Sequence, residues 1–312
     1  MWGRAIGDGA AAAATGVSIG ALAVLAGRFA SPSFEPALVA SLSTMAVAAL
    51  VIGAYRRLQR QINGSTTQQL EIAAQSFKQA ESLLSVLATI RPTFPLPSTR
   101  DWSASPDLLN QLCTLVLSRR PALVVEAGSG VSTLTVAYCL KRLGAGRVVS
   151  LEHDEAYAAK TRALLQLHGV DDVARVVTAP LTPVTINGDN WLWYDQAGLA
   201  GCETIDLLVI DGPPWTTQNL ARYPALPLLY DRLSRDAIVI LDDAARSDER
   251  AVVARWRDEF GGLTCEYLDF EKGACVIARG AVSSATALDG NSSTIREVAD
   301  ARTHRIRSVA GA

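Results

Sequence analysis

The chain has 312 residues, enough for one sizeable globular domain and an accessory segment. Its formal net charge is −2, with 29 Lys and Arg against 31 Asp and Glu, so the composition predicts no nucleic-acid partner. The 5 cysteines are an odd number, widely spaced and without a CxxC pair, which argues against a disulfide framework or a zinc cluster.

Two uncharged apolar runs open the chain, residues 9–27 and 36–55. Each is about the length that a helix needs to cross a hydrocarbon core of roughly 30 Å. Arg56 and Arg60 follow the second run, and positive charge favours the cytoplasmic side. The sequence therefore predicts a transmembrane helical hairpin over residues 1–60, with the rest of the chain at the cytoplasmic face of the inner membrane. A signal peptide or a buried pair of helices is the alternative.

Residues 61–94 are predicted to form a helical linker. Apolar or small side chains recur there with alternating three- and four-residue spacing, which is typical of a coiled-coil seam. The pattern predicts a homodimer through residues 64–90, and the alternative is a helix that packs on its own domain. The seam consists of Leu70, Ala73, Phe77, Ala80, Leu84 and Leu87.

From residue 95 to 280, short runs of Val, Ile and Leu alternate with helical patterns. Such alternation predicts an α/β domain with a parallel sheet that is covered on both faces. Two further apolar runs, 263–270 and 274–280, predict an antiparallel hairpin that closes the sheet. Residues 281–312 are rich in Ala, Ser and Gly, and we expect a loose C-terminal tail.

Acidic residues stand at the carboxyl ends of four of the five predicted strands of the sheet. Ligands of open α/β sheets bind outside these ends. A capping role would explain a single acid at a strand end but explains four at one edge poorly. We therefore expect the binding site at this edge. The acids are Glu126, Glu152, Asp211 and the pair Asp242 and Asp243.

A glycine loop follows the first strand. Gly128 and Gly130 allow a tight turn and close approach of the backbone to a ligand, and Ser132 and Thr133 open the next helix. Glu152 lies about twenty residues further on, where a carboxylate can accept hydrogen bonds from ribose hydroxyls. The spacing predicts a nucleoside-bearing cofactor. NAD is the competitor, although its GxGxxG fingerprint places a third glycine where this chain has Thr133.

Taken together, the segments EAGSGVST, SLEHD, IDLLVIDGPPW and AIVILDDA resemble motifs of class I S-adenosylmethionine-dependent methyltransferases. The resemblance covers residues 95–280 and is strongest to membrane-associated bacterial members with an IDGPP motif. It implies a Rossmann-like sheet closed by an antiparallel hairpin, with S-adenosylmethionine as the cofactor. The cofactor-binding residues that it implies are Glu126, Gly128, Ser129, Gly130, Ser132, Thr133, Glu152 and His153.

Two details qualify this resemblance. Many relatives place an acid after the third strand to bind the adenine amine, and this chain has Ala179 and Pro180 there, so adenine is expected to meet backbone or apolar groups. His153 is also a candidate base because it follows Glu152 directly.

The resemblance also implies a metal site. Catechol-type O-methyltransferases bind Mg²⁺ with an acid after strand four and an acid–amide pair after strand five, and this chain has Asp211, Asp242 and Asp243 at similar positions. Asp211 would then be a metal ligand or the general base. The alternative is that Asp211 positions substrate or acts as base alone, while Asp242 caps a turn.

Trp102, Pro213 and Trp215 are expected to wall the substrate pocket, and core packing is the alternative for each tryptophan. The expected reaction is methyl transfer to an oxygen of a small-molecule, saccharide or lipid-linked acceptor. An NAD-dependent oxidoreductase and a non-catalytic membrane scaffold are the alternative functions.

Overall fold

The structure, a computed structural model, describes residues 35–99, 102–202 and 204–279. Within helical residues 35–42 and 64–68 only the backbone is described. The first predicted apolar run and the predicted C-terminal tail lie outside the described residues. The chain divides into two compact units, Met1–Gln75 and Ser76–Ala312.

Helix α1 spans Glu35–Ile90 without a break, whereas the sequence predicted a separate span over 36–55 and a linker helix over 64–90. The two predicted helices merge because no proline follows Pro36 within α1, and a single glycine such as Gly64 lowers helix stability without ending a helix. Within the described residues no helix is long and apolar enough to cross a membrane. The predicted transmembrane hairpin is therefore unsupported.

Three large apolar side chains of the predicted coiled-coil seam of α1 are exposed, whereas Leu87 is half-buried. Leu70, Phe77 and Leu84 are exposed over 66%, 66% and 67% of their surface. Val86 and Ile90, by contrast, are buried in the core of the second unit. The last turns of α1 thus pack on the domain, as the alternative required, while these seam residues remain uncovered.

The second unit alternates strands and helices, as the sequence predicted. Its strands are β1 (Leu123–Ala127), β2 (Arg147–Glu152), β3 (Ala174–Thr178), β4 (Leu181–Ile186), β5 (Asp189–Tyr194), β6 (Ile205–Ile210), β7 (Leu233–Asp242), β8 (Leu263–Leu268) and β9 (Ala274–Arg279). Its helices after α1 are α2 (Pro106–Arg119), α3 (Val131–Leu143), α4 (Glu155–His168), α5 (Ala225–Leu229) and α6 (Ser247–Glu259), with short 3₁₀ turns at Gln196–Leu199 and Tyr230–Arg232.

Seven strands form one sheet in the order β3-β2-β1-β6-β7-β9-β8. The first five of these are parallel, and β9 pairs antiparallel with both β7 and β8. The prediction of an α/β fold with a mostly parallel sheet, closed by an antiparallel hairpin, is confirmed. Because the order runs outward from β1 in both directions, the carboxyl ends of β1, β2 and β6 adjoin.

Both faces of the sheet are buried, which explains the continuous apolar runs of its strands. On β1, Val124 belongs to the core on one face, and Leu123 and Val125 belong to the core on the other. This alternation is the two-residue period of an extended strand, and helices cover each side.

Strands β4 and β5 form a separate two-stranded hairpin that the sequence analysis did not predict. Its turn is Asn187-Gly188, with φ of 53° and 87°, the backbone that an Asn-Gly hairpin turn requires. Trp193 is fully buried, and the ring of Trp191 lies 4.6 Å from that of Tyr223. The hairpin therefore contributes core side chains to the domain.

Candidate active site

The acids predicted at the strand ends meet at one edge of the sheet. Asp211 directly follows β6, Asp242 ends β7, and Asp243 comes next. One carboxylate oxygen from each of these three residues lies within 4.8 Å of the others. Because β6 and β7 pair in parallel as far as Ile210 and Leu241, the next residue of each, Asp211 and Asp242, lies at the same edge.

Glu126 is nearly fully buried and holds the glycine loop from within. Its carboxylate accepts hydrogen bonds from the hydroxyls of Ser132 at 2.5 Å, Thr133 at 2.6 Å and Ser150 at 2.7 Å. Burial raises the pKa of Glu126, and the three hydroxyl donors act in the opposite direction. The predicted cofactor residues Glu126, Ser132 and Thr133 thus hydrogen-bond to one another through these side-chain oxygens. The bonds anchor the start of α3.

The loop itself takes a backbone that favours glycine. Gly128 and Gly130 have φ of 112° and 148°, in a range that other residues seldom adopt. A Cβ atom on Gly128 would lie 3.6 Å from the amide nitrogen of Gly212 and 3.7 Å from Cβ of Asp211. The loop after β1 therefore packs directly against the chain that leaves β6.

Glu152 faces the loop from the end of β2. The hydroxyl of Ser129 donates to Oε2 of Glu152 at 3.0 Å, and the amide of Asp154 donates to Oε1 at 3.1 Å. Nδ1 of His153 lies 3.0 Å from the same Oε1. The structure thus brings the predicted Ser129, Glu152 and His153 together beside the glycine loop.

Tyr194, which ends the β4–β5 hairpin, is a site residue that the sequence analysis missed. Its ring makes an edge contact with His153 at 6.0 Å between centroids. A Cβ atom on Gly212 would lie 2.1 Å from the Tyr194 hydroxyl, so a larger residue there would force the tyrosine to shift. Burial and the charge of Glu152 raise the pKa of Tyr194 well above its usual range. The hairpin therefore closes the site between β2 and β6 with a neutral phenol.

Arg222 is a second residue that the sequence did not reveal. Its side chain is only 4% exposed, and its Nη2 lies 2.6 Å from Oδ2 of Asp243 and 3.4 Å from Oδ1 of Asp211. The same guanidinium donates to the backbone oxygens of Asp211 at 2.8 Å and Asp242 at 2.7 Å. One cation thus joins the ends of β6 and β7 and neutralises acids from both.

A second guanidinium approaches from the start of α6. Nη1 of Arg246 lies 3.0 Å from Oδ2 of Asp243 and 3.8 Å from Oε1 of Glu249. Glu249 is buried and also lies 3.8 Å from Nε of Arg222. Asp243 therefore contacts two guanidinium groups, and Glu249 lies 3.8 Å from each of them.

The burial and crowding of these carboxyl groups raise the pKa values of two of them, Asp211 and Asp242. Burial raises the pKa of Asp211 to about 6, with contributions from Asp243 and Glu126, while Arg222 opposes the shift. Burial, followed by the charges of Asp211 and Asp243, raises the pKa of Asp242 well above its usual range. Asp211, with a pKa of about 6, is mostly ionised at neutral pH and can accept a proton there.

A cavity of about 310 Å³ opens in front of these groups. Trp102 and Trp215 stand at its wall with 68% and 56% of their surfaces exposed. Pro214 lines the cavity, whereas the predicted Pro213 is buried outside the lining. The complete lining is Trp102, Asp211, Pro214, Trp215, Arg222, Asp243, Arg246 and Lys272.

Lys272 reaches the cavity from the turn between β8 and β9. Its Nζ donates to the backbone oxygen of Ser103 at 2.8 Å. The backbone oxygens of Lys272 and Gly273 accept hydrogen bonds from Ala245 and Ala244, both at 3.1 Å. The closing hairpin thus fixes the loop that follows Asp243.

The implied Mg²⁺ site can be tested against these contacts. Mg²⁺ needs near-octahedral oxygen ligands at about 2.0–2.1 Å. Oδ2 of Asp243 is already shared by Arg222 and Arg246, and Oδ1 of Asp211 also faces Arg222. An ion bound to these oxygens would lie against a buried guanidinium of like charge. The residues present therefore do not fit a divalent ion while Arg222 holds this position.

Residues 125–244 match a family model described as a methyltransferase domain. The matched range contains all of the strand-end acids, both glycines of the loop and Arg222. No curated protein matches the chain at a significant level.

Several solved structures are similar to the chain. An O-methyltransferase from Streptomyces achromogenes involved in tomaymycin synthesis, in complex with S-adenosylmethionine, is 15% identical with a TM-score of 0.46, over 67% of this chain and 96% of its own. A Podospora anserina methyltransferase bound to S-adenosylhomocysteine is 17% identical with a TM-score of 0.46, over 64% of this chain and 88% of its own. An O-methyltransferase from Bacillus cereus in complex with S-adenosylhomocysteine is 18% identical with a TM-score of 0.44, over 66% and 97%.

Proposed function

We propose that the chain is an S-adenosylmethionine-dependent methyltransferase that methylates a hydroxyl oxygen of a small-molecule, saccharide or lipid-linked acceptor. One observation carries this proposal. Asp211 borders the glycine loop, where its Cβ lies 3.7 Å from the position of a Cβ on Gly128, and it also lines the cavity between the tryptophans. A single carboxylate therefore stands between a nucleotide-type loop and an acceptor-sized cavity.

The cofactor residues follow from the loop and the end of β2. Glu152 is proposed to accept hydrogen bonds from the ribose hydroxyls, a role supported by its position at the end of β2, beside β1. Ser129 fixes this carboxylate through its hydrogen bond to Oε2. Adenine is proposed to meet backbone or apolar groups after β3, where Ala179 is buried and Pro180 is exposed.

Asp211 provides the chemistry that the chain itself contributes. When bound, S-adenosylmethionine supplies an electrophilic methyl group. Asp211 would accept the proton of the acceptor hydroxyl and so prepare that oxygen for methylation. The loop and the cavity walls hold the two reactants in line, and such positioning supplies much of the rate acceleration of transfer reactions.

The acceptor is proposed to carry its hydroxyl on a flat ring. A cavity of about 310 Å³ is at the small end of the range typical of ligand pockets. Exposed tryptophan faces bind aromatic rings and the apolar faces of sugars, and Trp102 and Trp215 both line this cavity. Transfer of a labelled methyl group to panels of phenols, saccharides and lipid-linked saccharides would identify the class.

Calorimetry of the full chain with S-adenosylhomocysteine tests the proposal directly. We expect one ligand per chain with micromolar affinity. Folded protein that gives no binding heat at millimolar ligand would refute the proposal. Binding of NAD in place of S-adenosylhomocysteine would support the oxidoreductase alternative, and binding of neither would support the non-catalytic scaffold.

We also propose that residues 1–60 attach the enzyme to the cytoplasmic face of the inner membrane. The proposal rests on the two uncharged runs of the sequence and on exposed apolar side chains of α1, among them Met45, Leu50 and Ile52. Carbonate extraction of membranes tests it, because a spanning anchor keeps the full-length chain in the pellet. Release into the supernatant would refute a spanning anchor.

A homodimer through residues 64–90 is the last part of the proposal. Its support is the exposure of Leu70, Phe77 and Leu84 on one side of α1. Three such apolar side chains at seven-residue spacing fit the geometry of a two-stranded coiled coil.

A further inference from the structure

We propose that the guanidinium of Arg222 takes the place of a divalent cation at the acidic edge, so that the site works without a metal. The inference deepens the proposed function and rests on it for the identity of the reaction. It is carried by the position of Arg222 among the acids that end β6 and β7.

Arg222 meets the acids at the point where a bridging ion would bind. Its Nη2 contacts a carboxylate oxygen of Asp243 and faces one of Asp211, at 2.6 and 3.4 Å. The guanidinium also donates to the backbone oxygen of Asp211, which follows β6, at 2.8 Å and to that of Asp242, which ends β7, at 2.7 Å. A planar group that binds four oxygens in this way is held rigidly, because its donors have fixed directions.

The charges around Arg222 explain why the arginine stays in place. Asp211 and Asp243 contact it, Glu249 lies 3.8 Å from its Nε, and the side chain is only 4% exposed. A buried cation without such partners would carry a large desolvation cost. The acids and Arg222 therefore stabilise one another, and a metal ion bound to the same oxygens would have to displace the guanidinium from these contacts.

This exchange of a metal for an arginine has a consequence for the acceptor. A divalent ion can bind two vicinal oxygens of one acceptor. Arg222, by contrast, makes its hydrogen bonds to groups of the protein itself. Of the two carboxylates that line the cavity, Asp243 has its Oδ2 bound by both Arg222 and Arg246, whereas Oδ1 of Asp211 lies 3.4 Å from Arg222, so Asp211 is the one proposed to meet the acceptor. The site is thus suited to an acceptor that presents a single hydroxyl, and Arg222 acts as a positioning residue for Asp211.

Binding of Mn²⁺ to the full chain, followed by electron paramagnetic resonance of the free ion, tests the inference without reference to activity. We expect no stoichiometric site in the wild-type protein at millimolar Mn²⁺. We expect Arg222→Met, which keeps an unbranched apolar stem and removes the guanidinium and its charge, to gain one Mn²⁺ per chain that Mg²⁺ displaces. Arg235→Met is the matched control, since Arg235 is exposed near the start of β7, and it should gain no site.

Two results would overturn the inference. One is a stoichiometric Mn²⁺ site in the wild-type protein that Asp243→Asn abolishes. This result does not depend on whether an Arg222 variant folds. The other is an Arg222→Met protein with native circular dichroism that still binds no Mn²⁺. Calorimetry with S-adenosylhomocysteine on the same wild-type sample separates this failure from failure of the proposed function, because cofactor binding and Mn²⁺ binding are read independently.

Discussion

The hydroxyl of Ser129 donates a hydrogen bond of 3.0 Å to Oε2 of Glu152 and thereby joins the glycine loop to the end of β2. This bond holds the carboxylate at the edge where the ribose of a nucleoside cofactor is expected. The other carboxylate oxygen takes the amide of Asp154 at 3.1 Å. Glu152 is thus oriented before any ligand arrives.

Replacement of Glu152 by alanine should weaken binding of S-adenosylhomocysteine. Hydrogen bonds to a charged group contribute about 1.5–3 kcal/mol, so the affinity is expected to fall about 10- to 100-fold in calorimetry. Glu155→Ala is the control, because Glu155 is exposed on α4 and pairs with Arg162. Equal losses in the two variants would contradict the assignment of Glu152.

Activity should depend on the ionisation of Asp211. Its raised pKa of about 6 means that the carboxyl group holds its proton below that pH, and a protonated carboxyl cannot act as a base. We therefore expect kcat/KM to fall tenfold for each unit of pH below about 6 and to level off above it. Asp211→Asn should lose about 100- to 10,000-fold in kcat.

The control for this profile is Asp236→Asn, because Asp236 is exposed near the start of β7. That variant should keep both the rate and the acidic limb of the wild-type profile. A limb that persists unchanged in the residual activity of Asp211→Asn would assign the titration to another group.

Gly212 lies directly against the Tyr194 side chain, so Gly212→Ala should clash with it. Tyr194→Phe should relieve part of that clash. In Gly212→Ala the new Cβ would lie 2.1 Å from the Tyr194 hydroxyl and 3.4 Å from its Cζ. Overpacking of this kind costs about 1–3 kcal/mol, so the free energy of unfolding should fall by that amount in urea titrations. Adding Tyr194→Phe removes only the nearer atom and should restore part of the stability.

Tyr194→Phe alone provides the reference for that pair, and a double-mutant cycle gives the coupling between the sites. If the two losses simply add, the hydroxyl is not what the new methyl group meets, and the contact between Gly212 and Tyr194 has been misjudged.

Charge on the seam of α1 should abolish the proposed dimer. Leu84→Glu places like charges opposite one another in a two-stranded coiled coil, so light scattering should give half the wild-type mass. Ile72→Glu is the matched control, since Ile72 is also an exposed apolar residue of α1 but lies outside the seam. A wild-type chain that is already monomeric would refute the dimer.

The sequence predicted the parts of the site that lie at regular positions of the fold. Glu152, Asp211, Asp242 and Asp243 could be found because each ends a recognisable apolar strand, and parallel strands bring such ends to one edge. Their pairing partners could not be found in the same way. Arg222 contacts residues up to 27 positions away along the chain, and no periodic pattern of the sequence marks Arg222 as their partner.

The β4–β5 hairpin, by contrast, carried a signal that was overlooked. Asn187-Gly188 lies between two runs of alternating side chains, which is the strongest short-range pattern for a hairpin. Recognition of that turn would have placed Trp193 and Tyr194 on a strand. Which side chain would then reach Gly212 depends on packing that only the structure shows.

The three hydroxyls around the carboxylate of Glu126 have a consequence for the kinetics of cofactor binding. A loop whose shape is maintained by its own chain does not have to order itself when a ligand arrives, so little conformational entropy is lost at that step. Association should then proceed at the rate of diffusional encounter, and differences among cofactor analogues should emerge in their residence times.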